Sequence, residues 1–184
     1  SYAGHVRVYK WNSVTSLWTQ VGQDIDGEAA GDMSGTSVSM SPDGTRVAIG
    51  ANGNDDSGSY AGHVRVYEWN NVSWSQVGDD IDGESFSDQS GYSVSMSSDG
   101  TRVAIGAPYN DGTGDAAGHV RVYEWDNITW SQVGNDIDGE AVGDKSGCSV
   151  SMSSDGTRVA IGARDNDGTG TDAGHVRVYD WNSG

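Results

Sequence analysis

The heptapeptide Ala-Gly-His-Val-Arg-Val-Tyr occurs four times, starting at Ala3, Ala61, Ala117 and Ala173, so the chain repeats at offsets of 58, 56 and 56 residues. The rest of the unit recurs three times. Ser-Val-Ser-Met starts at Ser37, Ser93 and Ser149, and Asp-Gly-Thr-Arg-Val-Ala-Ile-Gly-Ala at Asp43, Asp99 and Asp155. Asp-Ile-Asp-Gly-Glu starts at Asp24, Asp80 and Asp136. A fixed period of this length means one supersecondary unit, used repeatedly, with each copy burying its apolar face against the next. The two extra residues of the first unit fall between Trp11 and Trp18, where the next unit runs from Trp69 to Trp74. An insertion that leaves its flanks intact marks a surface turn.

Each unit holds four short runs of strand chemistry, labelled A to D. They are Ser93–Ser97 (A), Thr101–Gly106 (B), His63–Trp69 (C) and Trp74–Gly78 (D). All have a period of two with β-branched or aromatic enrichment, and no stretch shows helical spacing. Ser98-Asp99-Gly100 joins A to B, and Asn70-Asn71-Val72-Ser73 joins C to D. Asp-Gly supplies the side-chain acceptor and the positive φ of a hairpin turn. B to C takes about ten Gly/Asp/Asn-rich residues, and D to the next A about a dozen. The expectation is an all-β chain, a β-propeller of four-stranded antiparallel blades with run A innermost. A β-solenoid is the second reading, but its coils are usually shorter. Small Ser93, Ser95 and Ser97 suit a crowded axis, and all seven tryptophans bracket C–D turns, where pairing stabilises a hairpin.

Propellers have four to eight blades. The expected partition is strands C–D in 1–33, full blades at 34–89 and 90–145, and strands A–C in 146–184. The fold is then incomplete within one chain. Open blade edges predict self-association, for example two half-propellers giving about six blades, or membership of a longer array. Composition narrows the partners. Ten Lys+Arg stand against 27 Asp+Glu, a net charge of −17 that repels a phosphate backbone, so no nucleic acid is expected. No apolar run is long enough to span a membrane. One cysteine, Cys148, excludes an intrachain disulfide and a cysteine zinc cage.

Ser90-Gly91-Tyr92-Ser93-Val94, Asp99-Gly100, Val103-Ala104-Ile105-Gly106-Ala107-Pro108 and Gly118-His119-Val120-Arg121-Val122-Tyr123 together resemble the FG-GAP repeat. The resemblance recurs in each unit. It implies the propeller of integrin α chains and an extracellular or cell-surface location. It also implies a non-enzymatic scaffold for adhesion or for a protein or glycan ligand. A structural self-assembling ring or fibre is the alternative. The family's A–B calcium loop does not carry over, because the connection here is short and holds a single carboxylate.

Calcium takes six to eight oxygens, mostly from flexible Gly-rich loops. Two sets offer them. The B–C loops present Asp165, Asp167 and Asp172, then Asp111 and Asp115, and in the first unit Asp55 and Asp56. The D–A connection presents Asp136, Asp138, Glu140 and Asp144, matched by Asp80, Asp82, Glu84 and Asp88 one unit earlier and by Asp24, Asp26, Glu28 and Asp32 in the first unit. Calcium is thus the one candidate cofactor, against the alternative of Asx turns on a solvated acidic face. His63 and its copies read as packing residues, since the repeat supplies no nucleophile beside them. No catalytic residue is assigned: Cys148, Phe86, Tyr109, Lys145 and Arg164 break the repeat but form no catalytic set by type. Asn71-Val72-Ser73 and Asn127-Ile128-Thr129 are glycosylation sequons on the C–D turn, with Asn71 and Asn127 as acceptors.

Overall fold

A computed structural model describes residues 2–181, so Ser1 and residues 182–184 of the outer expected blades lie outside the described residues. No helix occurs among them. The first, partial unit holds β1 (His5–Val6), β2 (Tyr9–Asn12), β3 (Leu17–Gln20) and β4 (Ile25–Asp26). The next holds β5 (Ser37–Met40), β6 (Arg46–Ala51), β7 (His63–Trp69), β8 (Trp74–Gln76) and β9 (Ile81–Asp82). Its repeat is β10 (Ser93–Met96), β11 (Arg102–Ala107), β12 (His119–Trp125), β13 (Trp130–Gln132) and β14 (Ile137–Asp138). The last holds β15 (Ser146–Met152), β16 (Arg158–Ala163) and β17 (His175–Asp180). The sheets run β5-β6-β7-β8 and β10-β11-β12-β13, all antiparallel. This is the expected all-β propeller of four-stranded blades, incomplete within the described residues.

The hairpin turns form as their residues dictate. Asp99 Oδ1 accepts from the Thr101 N–H (3.0 Å), the Thr101 hydroxyl (2.8 Å) and the Ser97 hydroxyl (2.7 Å). Asp43 and Asp155 repeat the arrangement. The first strands β5, β10 and β15 pack side by side, which places run A at the axis. The Ser37 and Ser93 hydroxyls donate to Gly91 and Gly147 carbonyls at 2.7 and 2.8 Å across the blade junctions. A Cβ on Gly50 would meet the Gly91 carbonyl at 2.0 Å, so backbone-to-backbone approach requires glycine there.

Apolar faces fill the junctions. Val64 and Val66 of β7 pack with Val94 and Met96 of β10 and with Val103 and Ile105 of β11. At the rim, Trp69–Trp74 and Trp125–Trp130 pair at 5.4 Å, and the Trp130 indole N–H donates to the Val77 carbonyl of the preceding blade at 2.8 Å.

The fourth run departs from expectation. Tyr67 pairs with Gln76 and Val64 with Ile81, so Arg65 and Val66 of β7 face four residues, Val77 to Asp80. The run therefore ends early, as β8, and after a two-residue bulge the start of the expected D–A connection, Asp-Ile-Asp, returns to the sheet as β9. A bulge re-aims the side chains beside it. Here it brings Asp80 next to His63, at the head of β7.

Candidate functional site

Each strand A runs from the D–A connection to the A–B turn, and strand B returns. The D–A and B–C connections therefore share one face of the propeller. Two kinds of arrangement occupy that face, one at the axis and one at each of two blade junctions.

At the axial mouth, around the starts of strands A and the ends of strands B, residues that break the repeat converge. Tyr92 and Tyr109 meet edge to face, with centroids 6.4 Å apart. Lys145 Nζ lies 5.8 Å from the Tyr109 ring and 2.7 Å from Asp165 Oδ2. Arg164 Nε lies 3.2 Å from Asp165 Oδ1. The hydrogen bond to Asp165 holds the Lys145 ammonium above its ordinary range, and the Asp165 charge does the same for Arg164. Both stay cationic. The thiol of Cys148 points to the Gly162 carbonyl at 3.4 Å. The matching positions are neutral two blades earlier for Cys148 and Arg164 and one blade earlier for Lys145: the Thr36 hydroxyl bonds to Asn52 Oδ1 at 2.8 Å, and Asn52 Nδ2 donates to Gln89 Oε1 at 3.1 Å. The mouth is thus asymmetric although the blades are near copies. Two cations against one carboxylate leave it locally positive on an acidic chain.

At the first complete junction, Glu28, Asp56, His63 and Asp80 bring ligand atoms within 4.8 Å of one another, and at the next Glu84, His119 and Asp136 do so. These clusters could hold a metal ion. His119 Nδ1 lies 3.7 Å from Asp136 Oδ2 and 3.9 Å from Glu84 Oε2. Burial, and secondarily the Arg121 charge, hold its imidazole down at about 4, so it is neutral at pH 7.

The residues expected to bind calcium lie as follows. Asp111 and Asp167 each accept a backbone N–H of their own loop, from Ala116 and Asp172 at 2.8 Å. Asp115 and Asp172 are exposed. Asp165 is the carboxylate held by Lys145 and Arg164. Asp144 is buried and accepts from the Ala141 N–H and from Asn166 Nδ2. Asp138 sits opposite His119 in the sheet, its pKa raised by burial and then by the Asp136 charge. Glu140 reaches Arg177 at 3.3 Å and His175 at 3.7 Å. Of the nine, only Asp136 joins one of the two gathered clusters. The A–B turns do not fit the calcium loop of the family, because each presents one carboxylate already saturated by Ser and Thr donors. Asn71 and Asn127 are exposed on the opposite face, at positive φ.

Sequence reasoning missed His63 and His119 as ligands, and it placed Glu28, Asp56 and Asp80 in separate acidic sets rather than in one cluster. A signal was present: His63 to Asp80 and His119 to Asp136 are both 17 residues apart. Its meaning depended on the bulge.

Residues 24–67 match the FG-GAP repeat family, so the resemblance carried by the motifs holds there. Among curated proteins none matches the chain. A solved structure from Bacteroides uniformis ATCC 8492, assigned as a 6-phosphogluconolactonase, superposes with TM-score 0.63 at 13% identity, over 98% of this chain and 45% of that one. The periplasmic gluconolactonase PpgL of Pseudomonas aeruginosa does so with TM-score 0.56 at 14% identity, over 95% and 45%. The chain therefore spans less than half the length of these structures. At such identity the likeness shows the fold.

These neighbours correct the expected function. A non-enzymatic scaffold for adhesion or ligand binding, or a purely structural element, was inferred from the family and from the sameness of the units. Chains with this fold bear the names of lactonases, and the units are not the same where they meet the axis. The set Tyr109, Lys145, Cys148 and Arg164 looked incoherent in sequence because its members come from different blades. No helix among the described residues is long and apolar enough to cross a membrane.

Proposed function

Taking the chain as a run of FG-GAP-type blades, we propose that its axial mouth binds and hydrolyses an anionic, polyhydroxylated lactone of the sugar-acid type. One observation carries this reading: two of the three cations outside the repeated motifs, Lys145 and Arg164, converge there beside Tyr92 and Tyr109. Cations suit the carboxylate or phosphate of such a ligand and the oxyanion that develops when water attacks a lactone carbonyl. The tyrosine faces suit a sugar ring, and the Thr36–Asn52–Gln89 ladder suits its hydroxyls. The names of the two lactonases support the substrate class. Calcium does not enter this reading, because Asp165, the loop carboxylate at the mouth, is held by Lys145 and Arg164. The ring is completed by a second copy, since the open end faces repeat surfaces that are buried internally. A location outside the cell, with glycans on Asn71 and Asn127 where the host modifies sequons, accords with the family and with the exposure of both turns.

The test is a pH-stat assay of acid release from D-glucono-1,5-lactone and its 6-phospho analogue, at concentrations where the assembled species is present. The expected result is hydrolysis above the spontaneous rate. Lys145→Met and Arg164→Ala should each lower kcat/KM by roughly tenfold or more, with the larger loss for the phosphorylated substrate. Spontaneous rates throughout, with no thermal shift from either compound, would overturn the reading.

A further inference from the structure

We propose that the first blade junction is a binding site for a divalent transition ion of the zinc or manganese class, held by His63, Asp80, Asp56 and Glu28, and that the second junction is a weaker copy lacking one carboxylate. The inference is independent of what occupies the axial mouth.

Four elements converge on this point: the connector after β4 (Glu28), the β6–β7 loop (Asp56), the head of β7 (His63) and the bulge between β8 and β9 (Asp80). His63 is 0% exposed, and neither ring nitrogen makes a hydrogen bond. A buried imidazole without partners is costly unless something absent from the protein satisfies it. Its Nδ1 faces Asp80 Oδ2 at 3.4 Å, off the line of a hydrogen bond. That spacing is close to the roughly 3.3 Å between neighbouring ligands of a four-coordinate ion with bonds of about 2.0–2.1 Å.

Each carboxylate has one oxygen fixed and the other left over. Arg65 Nη1 holds Glu28 Oε1 at 3.1 Å, Gln76 Nε2 donates to Asp80 Oδ1 at 2.5 Å, and Asn54 Nδ2 donates to Asp56 Oδ2 at 3.2 Å. Orientation of ligands by such outer partners is characteristic of metal sites. Three carboxylates against one guanidinium leave two net negative charges around the imidazole, which a divalent cation cancels. Calcium takes oxygen donors, whereas an imidazole among carboxylates suits zinc or manganese.

The repeat supplies its own control. Asp56 corresponds to Gly112 in the next unit, and the second cluster accordingly has three members. Thus Asp56→Gly and Gly112→Asp each install a residue that this fold already accommodates at the equivalent place.

Protein stripped with EDTA is titrated separately with ZnCl2, MnCl2 and CaCl2, followed by calorimetry and thermal melts. The expected outcome is two unequal classes of site for zinc or manganese, with calcium at least tenfold weaker. Asp56→Gly should weaken the tighter class at least tenfold, and Gly112→Asp should tighten the weaker one. His63→Gln should abolish the tighter class, and imidazole nitrogen shifts of His63 on zinc addition report the ligand directly should that variant fail to fold. Absence of binding, calcium binding as tight as zinc and manganese, or affinities indifferent to Asp56→Gly would each overturn the proposal.

Discussion

Asp99 occupies a turn of three residues and still satisfies three donors, because a carboxylate has lone pairs to spare. Burial pulls its pKa upward, but the hydrogen bonds from Ser97 and Thr101 outweigh this and the net shift is downward. The Ser153 hydroxyl, then the Thr157 N–H and hydroxyl, hold the equivalent Asp155 at about 2. Asp43 is lowered by the same partners, Ser41 first. A folded pKa below the unfolded value of about 3.9 contributes stability that is complete above pH 4 and is lost as pH falls towards 2. Replacing all three aspartates by Ala should therefore lower the melting temperature at pH 7 and flatten its fall between pH 4 and pH 2. Asp99→Ala alone should cost about 1 kcal/mol in denaturant titrations at pH 7. Asp88 has the opposite sign: burial raises its pKa, so its ionised form is a cost that acidification relieves. The turn aspartates were legible from Asp-Gly. The role of Asp88, whose partner Asn110 lies 22 residues away, was not.

At the scale of the element, runs A, B and C are continuous strands in the complete units, whereas run C of the first unit breaks at Arg7-Val8 into β1 and β2. The fourth run stops before Gly78-Asp79-Asp80, where composition resembles a loop, yet Ile81 and Asp82 of the following connection pair with β7 because the junction rewards burial of Ile81. Gly78 permits this, with φ at +73° and a hypothetical Cβ only 2.6 Å from Trp125. Gly78→Ala should cost about 2 kcal/mol by chemical denaturation, combining a left-handed backbone with the displaced indole. Gly170→Ala, at a position without positive φ and with open space, should change stability by less than about 0.5 kcal/mol. Trp74→Ala should cost about 3 kcal/mol, since Trp74 is buried and its indole N–H reaches the Val21 carbonyl one blade away at 2.8 Å.

For the whole molecule, the unpaired faces decide behaviour. Val176 and Val178 of β17 are 68% and 64% exposed, whereas Val64 and Val66, their counterparts in β7, are 0% and 1% exposed. At the other end Val38 and Met40 are exposed, while their counterparts Val94 and Met96 fill a junction. The two ends thus expose positions that the internal junctions cover. Light scattering across a dilution series should show a closed assembly of the wild type. Val178→Asp or Met40→Lys should release monomers whose circular dichroism is unchanged, because each new charge is excluded only from the covered face. A wild-type chain that stays monomeric at every concentration would instead assign those faces to further blades of a longer polypeptide.

The period, the strand alternation and the turn dipeptides determined the blade, the order of its strands and the innermost place of Ser-Val-Ser-Met, because each depends on residues within a few positions of one another. Only the tertiary structure decided which side chains share a space. Junctions and mouth join residues from successive repeats: Glu28 reaches His63, and Tyr92 and Tyr109 reach Lys145 and Arg164. No local pattern encodes such pairings. They follow from how one blade packs on the next, where a bulge two residues deep turns an apparent connector acid into the neighbour of a buried histidine.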